Sequence, residues 1–514
     1  MKPNTRRVFL QGLSGSLLAV GLGSVPDGRC SALIYGEDDG DELDFGELEP
    51  LVALMQETAP DRLQEILVAK LHEGMELRTL VAAGALANAR TFGGHDYTGY
   101  HCMMALVPAY GMAQRLPEAK KPLPVLKVLY RTASRIQEMG GRSKEALHQL
   151  PAREELSRDE GVRRLRKALI DCDVDAAEGA FASLSAGRPE EAFDDLQSIL
   201  HENMNVHRVV LAWRSWETLS LTGSQHAHTL LRQSVRFCID EEDHRVKSGR
   251  EEPALRALLP ELIDRHELEA KQPGGRTASD EEVLELSRVI FRSDRPDAAK
   301  AMAEAMAGGL SLHDAGEAIS LAANQLMFHD PGRKNADSPE KPKGSVHGAS
   351  FGVHAADAAR AWRNIAGVSN HRNAIAGLIT GAFHTAGQSQ YVDDRPVSFG
   401  AQLEEVQIED SAELLRRTRT AIEEGDQMLA CAAAQRWGDL RLPEGPLFDL
   451  LLEFGVSQDG ALHAEKYYHT ICEEYAVGRP AFRTRHLVAL ARVSASEHGW
   501  GAPGLDAARR LIGV

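Results

Sequence analysis

The sequence predicts an all-α fold, and three observations carry that prediction. Small apolar residues, alanine above all, recur three and four apart through most of the 514 residues, a spacing that suits close helix–helix packing. Runs of alternating β-branched residues, the signature of half-buried strands, are nearly absent. One design also returns four times: an acidic start, a small-residue helix with a glycine near its end, a second helix, a histidine-bearing helix and a fourth. The expected architecture is therefore four internal repeats of about four helices, forming an α-superhelix or a closed α-ring.

Residues 1–32 read as an export signal. Thr5 and the Arg6-Arg7 pair precede Phe9-Leu10, a Gly-containing apolar stretch runs to Val25, and Cys30-Ser31-Ala32 offers small residues for cleavage. The pattern is of the twin-arginine type and implies a periplasmic or secreted protein. No later apolar run is long enough to span a bilayer, so no transmembrane segment is expected after signal removal. Losing four cations and one carboxylate with the signal takes the formal charge from −17 to about −20. Such a surface repels phosphate backbones, which excludes nucleic acid as a partner. The five remaining cysteines, Cys102, Cys172, Cys238, Cys431 and Cys472, are widely spaced with no CxxC, against a zinc ribbon or a disulfide framework. Residues 33–59 read as an acidic linker, with eight carboxylates between Glu37 and Glu49.

The all-helical domain then runs over 60–514, with units near 60–150, 174–267, 296–388 and 425–514. Asp61, Asp175, Asp297 and Asp426 are read as the N-caps that open them. Pro60, Asp61 and Asn88 match Pro296, Asp297 and Asn324 at one constant offset of 236. Two polar loops interrupt the plan. They are Ala270 to Ser279 and the basic, proline-rich stretch from Asp330 to Ser345, whose charge suggests a flap lying on the acidic body.

The chain holds 20 histidines, over half of them in the third and fourth helices of the units. His95/His101, His201/His207 and His463/His469 are each six apart, about 120° around an ideal helix, so both members cannot enter one site unless the helix breaks between them. His347 and His354, seven apart, would share a face if one helix carried both. With no HExxH and no i,i+4 histidine pair, any site must draw one histidine from each of several helices. If the units close on one another, His101, His207, His354 and His463 on the third helices converge as catalytic residues. His226, His371 and His486 on the fourth helices are the candidates to add metal ligands. Neutral imidazoles suit a transition metal, iron or another histidine-ligated ion, or serve as acid–base groups without one. Gly-rich phosphate loops and a G-x-S-x-G elbow are absent from the sequence.

Four of these segments resemble the questin oxidase-like family. They are GYHCMMALVPA at His101 with Met104, Ala105, Leu106 and Val107; VHRVVLAW at His207; GVHAADAARA at His354; and ALHAEKYYHTICEE at His463 and Lys466. They cover about a tenth of the chain and fall in the family's order; Tyr100 stands where the family has Asn before its first histidine. The resemblance implies an all-helical oxidoreductase that oxidises an aromatic or polycyclic small molecule. The alternative is a helical-repeat interaction scaffold, with a protein partner, structural histidines and no catalysis.

Overall fold

The computed structural model describes residues 42–514 apart from 151–154, 272–273, 337–341 and 348–349. The stretch read as an export signal, residues 1–32, lies outside the described residues. Those residues form 23 α-helices and no strand, so the chain is all-α. None of the described helices is long and apolar enough to cross a membrane.

Each predicted segment contains the expected run of four helices. The first has Pro60–His72, Leu77–Phe92, Tyr97–Ala113 and Pro122–Glu138. The second has Val174–Leu184, Pro189–Leu200, Val206–Thr222 and Ala227–Lys247. The third has Arg295–Ala307, Leu312–His329, Phe351–Val368 and His371–Ala386. The fourth has Gln427–Asp439, Glu444–Ser457, His463–Val477 and Pro480–Glu497. A further helix precedes each run: Glu49–Glu57, Arg158–Asp171, Asp280–Arg292 and Ser411–Glu423. The first of these corrects the linker boundary, because Leu51, Val52 and Met55 are buried and the chain is core-packed from there on.

The caps differ from expectation by up to one turn. Asp426 does cap its helix, accepting from the Leu429 N–H at 2.9 Å. Asp173 and Asp294 cap the second and third runs in place of Asp175 and Asp297, and Asp61 follows Ala59 and Pro60 inside the first turn. There the three displaced carboxylates meet the positive end of the helix dipole instead of a capping N–H. Asn88 and Asn324 are both buried but hold different groups, the Gly99 carbonyl and the Arg485 carbonyl.

Two apolar cores fill the structure. The larger spans Phe45 to Ala508, and the second gathers the third run from Leu255 to Ala386 with Phe482. Glycine permits a close approach: a Cβ on Gly352 would lie 2.6 Å from Met327 Cα, so the Phe351–Val368 helix meets Leu312–His329 backbone to backbone. Gly381 similarly seats Trp362, whose Cβ would be 3.2 Å away. The base of the basic loop is pinned by Arg333 N–H to Ser345 O and Gln427 Nε2 to Gly344 O; its tip lies outside the described residues.

The four histidine helices are neighbours. Tyr97–Ala113 packs against Val206–Thr222 and His463–Val477, and Phe351–Val368 packs against the same two. They are hereafter the His101, His207, His463 and His354 helices.

Candidate metal centre

All four histidines stand in the first turns of their helices, and the local sequence explains why the helices start there. Asp96 accepts from Gly99 N–H at 2.7 Å, Asn205 from His207 N–H at 2.8 Å, and Ser350 from Val353 N–H at 3.1 Å. These are ordinary side-chain N-caps. The His463 helix has none. It is entered through Ala461 and Leu462, both left-handed at φ 50° and 66°, a conformation that costs an L-residue roughly 1–2 kcal/mol. The turn is held from below: buried Lys127 donates to Gly455 O at 2.9 Å and Gln458 O at 2.5 Å and pairs with buried Glu465 at 2.6 Å.

Those starts fix the imidazoles. His101 Nδ1–H donates to Tyr97 O and His354 Nδ1–H to Ser350 O, each at 2.7 Å and each to the carbonyl four residues back; His463 Nδ1–H donates to Ala461 O at 3.0 Å. A carbonyl only accepts, so the proton of a neutral ring sits on Nδ1 and the Nε2 lone pair is left free. The Nε2 atoms of His354 and His463 face each other at 3.1 Å. Those of His101 and His207 are buried without a protein partner. One nitrogen each from His101, His207 and His354 lies within 4.8 Å of the others. Ring centroids run 4.8 Å from His101 to His207, 5.7 Å to His354, 4.8 Å to His463 and 5.3 Å back to His101. A tetrahedral ion with nitrogens at 2.0–2.1 Å has edges of about 3.4 Å, so the His354–His463 edge is already formed and the trio is more open.

Burial disfavours the charged form of each ring. It holds His354 down at about 4 and carries His101, His207 and His463 well below the imidazole range, with the neighbouring Lys466 charge acting the same way. Two neutral rings presenting lone pairs to each other at 3.1 Å repel unless a cation or a proton sits between them.

The walls are aromatic and cationic. Tyr97 and Tyr100 lie against His101 at 4.3 and 5.0 Å between ring centres, Tyr100 also against His207 at 5.2 Å, and Phe237 meets Tyr100 edge-on at 5.3 Å. Burial pushes the Tyr97 phenol up to about 12, and Tyr100 upward likewise, so both stay neutral. Lys466 is buried one turn after His463; burial lowers it to about 8, with Asp357 opposing. Asp357, one turn after His354, is buried and accepts from Thr470 Oγ1 at 2.9 Å, and burial raises its carboxyl. His384 lies behind, facing Trp362 Nε1 at 3.4 Å, its ring held down at about 3 by burial. Lys466 was legible in the sequence through its segment, and Tyr100 as the residue before the first histidine, whereas Asp357, Tyr97 and His384 were not singled out. The signal for Asp357 was its position three residues after His354, on the same helix face as the histidine.

The fourth-helix histidines do not join this cluster, which corrects the expected ligand set. His226 precedes its helix and meets Phe45 edge-on at 5.7 Å; His371 Nε2–H donates to Lys271 O at 2.8 Å; His486 is buried beside Glu474 and held down at about 4 by burial. The reason is chain direction. A third helix of 17 or 18 residues carries the chain about 25 Å from the site before the short turn. His226 and His371 open the returning helix at that far end; His384, near the end of the same returning helix, is back beside His354. His347 is not on the His354 helix at all, since that helix begins at Phe351, and its Nδ1 meets Ser496 Oγ at 3.2 Å. Of the six-residue pairs only His463 and His469 share a helix, since the helices break between His95 and His101 and between His201 and His207. The partners nonetheless face elsewhere, His95 pairing with Asp240, His201 packing on Trp362, and His469 lying 3.8 Å from both Glu217 and Glu473.

The geometry identifies the donors; comparison with known proteins adds no name to them, since no family model, curated protein or solved structure matches this chain.

Proposed function

We propose that this chain is an exported metalloprotein of the oxidoreductase class, with His101, His207, His354 and His463 holding one transition metal ion. The observation that carries the reading is the meeting of four buried rings in one cluster: one nitrogen each from His101, His207 and His354 lies within 4.8 Å of the others, the Nε2 atoms of His354 and His463 are 3.1 Å apart, and three of the rings are locked through Nδ1 to a backbone carbonyl. Locking of this kind fixes tautomer and ring orientation in histidine metal sites. All-imidazole donors suit iron, copper, zinc or nickel, and the ion would supply Lewis-acid or redox chemistry. Around it Lys466 holds a proton within the site, Asp357 and Thr470 steady the wall behind it, and Tyr97, Tyr100 and Phe237 exclude water. The aromatic lining suits the aromatic or polycyclic substrate that the family resemblance implies. The twin-arginine signal fits too, because that route carries proteins already folded around their cofactors. The scaffold alternative required each of the four histidines to be satisfied locally in a separate helix interface, and the shared point speaks against it.

The test is metal analysis of the protein purified after native export. About one transition metal per chain is expected, and its loss in the His354→Ala and His463→Ala variants. A metal-free protein that also takes up no iron, copper, zinc or cobalt in vitro ends the reading.

A further inference from the structure

Every donor in the cluster is a neutral imidazole, and among the described residues no carboxylate is grouped with them. Asp357, one turn after His354, accepts from Thr470 Oγ1 at 2.9 Å. Lys466 adds a buried positive charge that acts on all four rings. The helices add more of the same sign. His101 is the fifth residue of its helix, His207 the second, His354 the fourth and His463 the first, so four N-termini meet at one place. Each carries about half a positive charge from its aligned peptide dipoles.

A divalent ion held there by neutral ligands would bring two further positive charges into a buried volume that is already positive. Leaving such charge uncompensated away from water is expensive. Among the described residues no carboxylate is grouped with the imidazoles to offset it there, since Asp357 and Glu465, which act on Lys466, are held by Thr470 and Lys127, while the Nε2 atoms of His101 and His207, both nine-tenths or more buried, have no protein partner. We infer that the metal site, on the reading proposed above, completes itself with an anionic oxygen ligand from outside the protein, a carboxylate or a phenolate, which Lys466 contacts as its second partner. Neutral ligands of the same size gain none of the charge compensation and bind far more weakly. Lys466 thereby selects the ionised form of whatever enters.

Cobalt(II)-loaded full-length protein provides the test, because its visible bands shift when the open position changes ligand. Titration with formate and with pentafluorophenol, an acidic phenol ionised at neutral pH, distinguishes the two oxygen sources. The methyl ether of that phenol and acetamide are the neutral counterparts. Saturable band shifts are expected with at least one anion, and at least ten-fold weaker shifts with its neutral counterpart. Lys466→Met should weaken the anion at least ten-fold with cobalt still at one per chain, and Lys466→Arg should recover part of the loss. Equal binding of neutral and anionic probes, or unchanged anion affinity in a cobalt-loaded Lys466→Met protein, overturns the inference and leaves the metal site standing. Failure of the unmodified chain to take up cobalt, iron, copper or zinc overturns both.

Discussion

At the start of the His207 and His463 helices, imidazoles lie together with no carboxylate grouped among them in the described residues. Two to three turns further along the same helices, Glu217, His469 and Glu473 bring their ligand atoms within 4.8 Å of one another, on paper an equally good cation site. There, however, each carboxylate already has a cation: Arg214 reaches Glu217 at 2.5 Å and Arg360 reaches Glu473 at 3.3 Å. A third cluster, His313, Asp314 and Glu317, is closed in the same way by Arg479, at 2.5 Å from Asp314 and 2.9 Å from Glu317. Composition and proximity therefore do not mark a metal site. What separates the first cluster from the others is that, among the described residues, its donor atoms have no counter-charge paired directly with them.

Breaking the contrast should produce effects of very different size. The largest belongs to the four histidines. A structural zinc in a four-ligand site is worth about 10–16 kcal/mol, so one ligand carries roughly 3–4 kcal/mol and its removal about a hundred- to a thousand-fold in affinity. His207→Ala should lose metal by that factor in a competition titration, whereas Glu473→Gln should leave affinity and stoichiometry unchanged; equal losses would erase the distinction. Next comes Arg479→Ala, which strips the cation from Asp314 and Glu317, both nearly inaccessible. That should cost about 3 kcal/mol in denaturant unfolding, because it leaves buried carboxylates unpaired. His313→Ala, at an exposed position of the same cluster, should stay within about 0.5 kcal/mol.

A smaller, graded effect separates buried neutral histidines from paired ones. Burial holds His201 at about 3 and His486 at about 4, below the ordinary value of 6.5. Between pH 6.5 and about 4 the unfolded chain binds protons at these two positions that the folded chain refuses. Stability is thus fully present above pH 6.5 and falls on acidification, by up to about 1.4 kcal/mol per pH unit for each group. Urea unfolding of the metal-free protein across that range should show the decline, and His201→Gln should reduce its slope. A slope indifferent to that change would mean that the ring is solvated in the native state.

The all-α class was legible because alanine and glycine at three- and four-residue spacing leave helices little alternative, and the third-helix histidines were legible because each opens an amphipathic run. What the pattern could not supply was chain direction within each helical pair. Read as a string, His371 is nearer to His354 than His384 is, 17 residues against 30; in space the hairpin returns His384 toward His354 and leaves His371 at the opposite end, hydrogen-bonded to Lys271 O. Lys466 and Asp357 show the opposite case. Each is three residues beyond a site histidine, so helical periodicity alone carries it to the same face. The Ala461–Leu462 turn had no warning in composition, since neither residue favours a left-handed backbone.

The four donors are also spread through the order in which the chain is made. His101 is followed by His207, His354 and His463 at intervals of 106, 147 and 109 residues, so each quarter of the polypeptide brings a single ligand. Synthesis proceeds from the N-terminus, and the early segments can fold while the later ones are still being added. His463 arrives only with the last tenth or so of the chain still to come. A product stalled before His463 therefore contains most of the fold yet lacks one of the four histidines. On the reading proposed above, metal occupancy would report that translation has passed His463, something that no single segment of this molecule can signal alone.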